Sequence, residues 1–195
     1  MVTFEALRRR TNAVLLVLGV LASVMCTAAR ADDEAANRVY VRAGQGGMRY
    51  AKTIPAESHG QKGKTLVYKV QEGADRLETE YPWYANRLYL GGAGDQTVVR
   101  LGPWRRGQEP KEGDLAIGIY RAGKTIKEYQ CLDLVKAGWQ VETSVSHYAI
   151  SRKVSGFQWM GKGDKYAFVV VAVSGKVFAF DIDTGELTDV PSERG

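Results

Sequence analysis

The amino-acid sequence predicts an all-β domain built from antiparallel hairpins, and three observations support this prediction. Residues 166–173 are apolar at every position, which is typical of a strand buried on both faces. The turn sequences Ser174-Gly175 and Asp183-Thr184-Gly185 follow so closely that the strands they join must be antiparallel neighbours. Turn signals recur about every 8–12 residues in the rest of the chain, with almost no helical period. We therefore expect a sandwich, an open barrel or a small propeller-like stack.

Residues 1–31 have the order of a secretory signal peptide. Arg8-Arg9-Arg10 precede the apolar run 13–25, and Ala29-Arg30-Ala31 supplies small residues for cleavage. This order predicts cleavage before Asp32 and a secreted or periplasmic protein. Three alternatives stay open, namely an uncleaved membrane anchor, a lipidated Cys26 and twin-arginine export.

Removal of the leader changes the charge and the cysteine count. The whole chain carries a net charge of +5, and residues 32–195 retain 23 basic and 21 acidic residues, or +2. A charge this small predicts no nucleic-acid partner. Cys131 is the one cysteine after residue 31, so an intrachain disulfide is excluded and the fold must rest on burial. The length of 32–195 is appropriate for one domain with one core.

Alternation and turn residues place the strands along the chain, and one short helix is expected near 131–138, ended by Gly138. The predicted strands are residues 38–43, 48–54, 65–70, 76–81, 87–90, 97–101, 115–121, 125–129, 141–150, 156–160, 166–173, 177–182 and 186–190.

Residues 118–125 match the phosphate-binding pattern G-x-x-x-x-G-K-[ST]. A working loop of this kind must open a helix whose N-terminal amides hold the phosphates. Here strand-like sequence lies on both sides of Gly123-Lys124. We therefore predict a hairpin turn and no nucleotide.

The two histidines are the candidates for acid–base chemistry. Alternation in 141–150 puts His147 on the predicted core face, together with Val145, and predicts a hydrogen-bonded buried side chain. The alternative is a secreted hydrolase that uses His147 or His59 with a distant carboxylate. A metal site would need these histidines and Cys131 to converge, so we expect no metal and no cofactor.

The sequence Asp181-Ile182-Asp183-Thr184-Gly185-Glu186 superficially resembles a calcium loop. Gly185 stands where the third oxygen ligand belongs, and the segment is too short before its last carboxylate. We predict a turn in which Asp183 or Thr184 bonds the backbone and Gly185 is left-handed.

Aromatic side chains near arginines are the candidate ligand-binding surface. Two loops carry them, and stacking on flat rings is how such surfaces bind sugars or peptides. The alternative is that Trp83 and Tyr84 close one end of the core. The candidate ligand-binding residues are Tyr81, Trp83, Tyr84, Trp104, Arg105 and Arg106.

Residues 175–187 resemble one repeat of the pyrroloquinoline-quinone-type β-propellers. The matching pattern is glycine, any residue, a hydrophobic residue, an aromatic, alanine, a hydrophobic residue and aspartate, followed two residues later by Thr184-Gly185. The resemblance covers a single copy. It implies a blade-like sheet, and it carries over no catalytic residue and no quinone site.

These observations predict an exported, non-catalytic protein of the cell envelope that binds a glycan or a peptide. The hydrolase is one alternative, and a structural protein that pairs through an edge strand is another. The sequence leaves the ligand and the oligomeric state open.

Overall fold

The computed structural model describes residues 35–103, 105–160 and 165–190. The proposed leader and its cleavage point lie outside these residues. Within them, the strands form four antiparallel sheets, none of which closes into a barrel. The predicted all-β class is therefore confirmed.

Sheet 1 is an up-and-down meander in chain order. Each strand pairs antiparallel with the next, as short turns require. Its strands are β1 (Tyr40–Ala43), β2 (Arg49–Pro55), β3 (Gly63–Lys69) and β4 (Arg76–Tyr81).

Sheet 2 repeats this topology. Its strands are β5 (Leu88–Gly91), β6 (Thr97–Leu101), β7 (Leu115–Arg121) and β8 (Lys124–Gln130), with a 3₁₀ turn at Ala93–Asp95. Ala122 and Gly123 join β7 to β8 with φ of 46° and 82°. Positive φ at both central residues is what a two-residue hairpin of type I′ requires. The hairpin interpretation of residues 118–125 is confirmed.

Between sheets 2 and 3, the chain forms a short helix and a small hairpin. Helix α1 (Cys131–Lys136) follows β8 directly, and Gly138 with φ of 90° lies just beyond it. The predicted continuous strand 141–150 is wrong. It is instead β9 (Glu142–Thr143) and β10 (Tyr148–Ala149), because Ser144 N–H donates to the His147 carbonyl and closes a turn between them.

Sheet 3 contains the apolar ladder that the sequence predicts, with one more strand at its edge. Its strands are β11 (Ser151–Met160), β12 (Lys165–Ala172), β13 (Val177–Asp181) and β14 (Leu187–Val190). On β12, Phe168 and Ala167 lie on opposite faces and are both buried, as the continuous apolar run predicts.

Sheet 2 contributes to two hydrophobic cores. Val98 and Leu90 pack with sheet 1 residues such as Val67, whereas Ile119 packs with sheet 3 residues such as Phe168. Every residue of β6 is buried, as expected for a strand covered on both faces.

Candidate functional site

Three of the predicted ligand-binding aromatics lie in the core. Tyr81, Trp83 and Tyr84 are 3%, 9% and 2% exposed, and the Tyr81 and Trp83 rings stack with centroids 4.8 Å apart. This placement matches the alternative in which they close one end of the core. The three rings are therefore largely closed to solvent.

Trp83 is instead part of a buried polar network centred on Arg100. The Arg100 guanidinium lies 4.4 Å from the Trp83 ring centroid, and its Nε donates to the Tyr120 hydroxyl at 2.7 Å. Its Nη2 pairs with Glu128 Oε1 at 3.1 Å. Burial, reinforced by the hydrogen bond from the Tyr120 hydroxyl to Glu128, raises the pKa of Tyr120. These contacts hold a buried cation between sheets and are structural.

The candidate residues of the second loop, Trp104, Arg105 and Arg106, differ in where the structure places them. Trp104 lies outside the described residues. Arg105 is half-buried, and its Nε donates to the Cys131 Sγ at 2.9 Å. Arg106 is exposed and pairs through its backbone with His147. The structure thus does not bring Arg105 and Arg106 together with the Tyr81–Tyr84 aromatics into one described pocket.

Arg105 belongs to a cluster under this loop. Its guanidinium lies 6.0 Å from the Tyr148 ring centroid, and the Tyr148 hydroxyl donates to Asp114 Oδ2 at 2.6 Å. Burial raises the pKa of Tyr148, and the hydrogen bond to Asp114 raises it further. These groups tie the loop to α1 and to the β9–β10 hairpin.

The histidine candidates occupy separate loops. His147 is half-buried, and its Nδ1 lies 2.7 Å from Ser144 Oγ across the hairpin turn. The predicted core position of Val145 is wrong, because the turn interrupts the alternation and leaves Val145 97% exposed. His59 lies in the loop between β2 and β3. Among the described residues, no group of three or more His, Cys, Asp and Glu side chains could hold a metal ion.

The acidic turn after β13 is held by its own backbone. Asp181 Oδ1 accepts hydrogen bonds from Asp183 N–H and Thr184 N–H at 2.8 and 3.0 Å. Thr184 Oγ1 accepts from Glu186 N–H, and Gly185 has φ of 76°. The predicted turn is confirmed, with Asp181 rather than Asp183 as the carboxylate that bonds the backbone.

The strongest candidate site is a cleft of about 570 Å³ that lies between sheet 2 and sheet 3, next to the residues that end β7 and β13. We call it the end cleft. Its walls come from the β5–β6 turn, the ends of β7 and β13, and the β11 and β12 ends. The lining residues are Gly92, Ala93, Gln96, Arg121, Trp159, Lys165, Tyr166, Asp181, Ile182 and Asp183.

One wall of the end cleft is aromatic. The Trp159 side chain is 67% exposed, and its ring centroid lies 4.8 Å from that of Tyr166. The Tyr166 ring stacks on Phe157, and its hydroxyl donates to Gln45 Oε1 at 2.8 Å. Burial and the nearby charge of Asp95 raise the pKa of Tyr166, so the hydroxyl remains a donor at neutral pH. The Tyr166 ring is therefore held in place while the Trp159 ring faces solvent.

The opposite wall is polar. Arg121 Nη2 pairs with Asp183 Oδ1 at 2.6 Å and donates to the Ile182 carbonyl at 3.0 Å, which joins sheet 2 to sheet 3. Burial alone would raise the pKa of Asp181. The backbone N–H donors of Thr184 and Asp183 outweigh burial and hold that pKa below its usual value. The Asp181 carboxylate is thus ionised at neutral pH.

Among the described residues that line the end cleft, the charges balance. Two cationic side chains, Arg121 and Lys165, face two carboxylates, Asp181 and Asp183. This lining offers both hydrogen-bond donors and hydrogen-bond acceptors to a ligand. Its volume falls within the range of about 300–1,000 Å³ that is usual for ligand pockets.

The sequence prediction did not include Trp159 and Tyr166, because both lie within predicted strands. One feature of the sequence could have indicated Trp159. Trp159 lies one residue before the end of its strand and directly precedes Met160 and the glycine-containing sequence Gly161-Lys162-Gly163. A large ring near a strand end is where an exposed aromatic can lie beside a cleft.

No family model matches the chain, nor does any curated protein or solved structure. In the described residues, no helix is long and apolar enough to cross a membrane. The function must therefore be argued from the site.

Proposed function

We propose that this protein is an exported, non-catalytic binding protein of the cell envelope that binds a neutral glycan in the end cleft. The observation that carries the proposal is the exposed Trp159 ring beside Tyr166 on the cleft wall. Export is inferred from the basic, apolar and small-residue order of residues 1–31.

The two walls suit a sugar ring in different ways. A flat indole accommodates the apolar face of a pyranose and buries its C–H groups. Arg121, Lys165 and Gln96 offer donors to the hydroxyl groups, and Asp181 and Asp183 offer acceptors. Because the lining charges balance, a neutral sugar leaves no buried charge without a counter-charge.

The proposal is tested with Trp159→Ala and a panel of neutral oligosaccharides, by titration calorimetry on the purified protein. We expect at least one oligosaccharide to bind and Trp159→Ala to weaken its binding at least tenfold, since a stacked ring is lost. Val145→Ala is the matched control, because Val145 is 97% exposed and lies outside the cleft. Equal binding by Trp159→Ala and the native protein would reject the proposal.

One observation favours the hydrolase alternative, namely the 2.7 Å contact between Ser144 Oγ and His147 Nδ1. A histidine that contacts a serine hydroxyl can act as the base that activates it as a nucleophile. A fluorophosphonate probe that labels the native protein, but not Ser144→Ala, would support this alternative. Equal labelling of the two would reject it.

The assembly alternative is favoured by apolar side chains on sheet 1 that face solvent, among them Leu77 and Val41. Such residues, together with the exposed edge of β1, could meet a partner sheet. Light scattering decides this, because a strict monomer at high concentration counts against self-assembly.

A further inference from the structure

A second depression, of about 530 Å³, lies where the first strands of the three large sheets come together. Its lining comes from β1, β5 and β11, each of which is an edge strand of its own sheet, and from Gln45 in the β1–β2 turn. We call it the edge groove. None of the residues that line it also lines the end cleft.

Two aromatic residues, Tyr89 and Phe157, are among the residues that line the edge groove. Tyr89 and Phe157 each contact Phe168 of the core, with ring centroids 5.1 Å apart in both pairs. A Cβ atom on Gly91 would lie 2.4 Å from the Phe157 ring, so the glycine allows the ring to reach this position. Beside it, a bulge between Val154 and Gly156 interrupts the pairing of β11 with β12. A bulged edge resists addition of another strand, which disfavours a peptide that pairs through its backbone.

Arg42 is the one charged side chain among the described residues that line this groove. Its guanidinium lies 5.3 Å from the Tyr89 ring centroid, and no described carboxylate forms an ion pair with it. On the same strand, Val41 is 59% exposed. An exposed guanidinium beside aromatic rings complements a carboxylate that carries an apolar body, because the fork of N–H groups matches carboxylate geometry.

We propose that the edge groove binds a small amphiphilic carboxylate, with its carboxylate on Arg42 and its hydrocarbon body on Tyr89 and Phe157. The apolar body gains from leaving water, and the ion pair sets its orientation. This site is independent of the glycan proposal, because its ligand is charged and its lining is separate.

The test compares decanoate with decanol, below the concentration at which either aggregates, on the purified full chain. We expect the native protein to bind decanoate at least tenfold more tightly than decanol, by titration calorimetry. We expect Arg42→Gln to weaken decanoate binding at least tenfold and to change decanol binding less than twofold. In NMR spectra, decanoate should shift the signals of Tyr89 and Phe157 more than that of Trp159.

Arg87→Gln is the matched control, since Arg87 is exposed, lies outside the groove and carries the same charge. An equal loss of decanoate binding in Arg87→Gln would point to the overall charge and overturn the proposal. So would unchanged decanoate binding in Arg42→Gln, or a native protein that binds neither probe.

Discussion

Two clusters in this molecule contain the same kinds of residue, a tryptophan beside a tyrosine with an arginine near it, and they have opposite exposure. Trp83 lies between sheets 1 and 2 with the Arg100 guanidinium over its ring, and it is buried. Trp159 lies at the end of β11 beside Tyr166, with Arg121 also lining the cleft, and it is exposed. An aromatic–arginine sequence pattern therefore does not distinguish a core cluster from a binding surface.

The arginines of the two clusters differ in the same way. Arg100 is enclosed by Trp83 and by two residues of its own sheet, Tyr120 and Glu128, and its side chain is 10% exposed. Arg121 pairs with Asp183, whose side chain is 71% exposed, so water already competes for that ion pair. Burial of the partners sets how much each arginine contributes to stability.

The largest expected effect separates the two tryptophans. Trp83→Ala should lower the free energy of unfolding by about 3–5 kcal/mol, because it removes a buried ring and leaves a cavity. Trp159→Ala should lower it by less than about 1 kcal/mol, since its ring is mostly in water already. Urea denaturation of both variants measures the difference. Equal losses would show that the two clusters do not differ as their exposure indicates.

The next effect separates the two arginines. Arg100→Ala should cost about 3 kcal/mol, because the Tyr120 hydroxyl, the Glu128 carboxylate and the Trp83 ring all lose their buried partner. Arg121→Ala should cost less than about 1 kcal/mol, as is usual for ion pairs that water reaches. The same denaturation experiment compares the two variants. Repeating it with added salt tests how far the ion pair between Arg121 and Asp183 is screened. A larger cost for Arg121→Ala would contradict the structural role of the Arg100 network.

The smallest effect is the pH dependence of the end cleft. The pKa of Asp181 is lowered in the folded protein, so its carboxylate stabilises the fold above the unfolded value of about 3.9. This contribution is lost as the pH falls through the lowered folded-state pKa. Solvent screening keeps it below about 1 kcal/mol.

Asp181→Asn should therefore be less stable than the native protein at pH 7 and equally stable in strong acid. Thermal unfolding from pH 2 to pH 7 measures the two curves. Glu72→Gln, which removes one negative charge from an exposed turn, is the control. A gap between Asp181→Asn and the native protein that persists unchanged at pH 2 would contradict the lowered pKa.

Local signals in the sequence were sufficient for most elements. Strands β4, β6 and β7 have the bounds that alternation and turn residues predict, and the β7–β8 turn follows from Ala122-Gly123. The prediction over 141–150 failed because a Ser-Val-Ser-His turn interrupts an alternating pattern. Alternation alone cannot register such a turn, since it contains neither glycine nor proline.

The sequence by itself determined the β class, the order of the strands and most of the turns, because these depend on residues close together in the chain. Only the tertiary structure decided which aromatics are buried and which line a cleft. Trp83 meets Arg100 and Tyr120 from sheet 2, and Tyr166 meets Gln45 from the β1–β2 turn. Exposure depends on such long-range contacts between sheets, and no spacing within a strand encodes them.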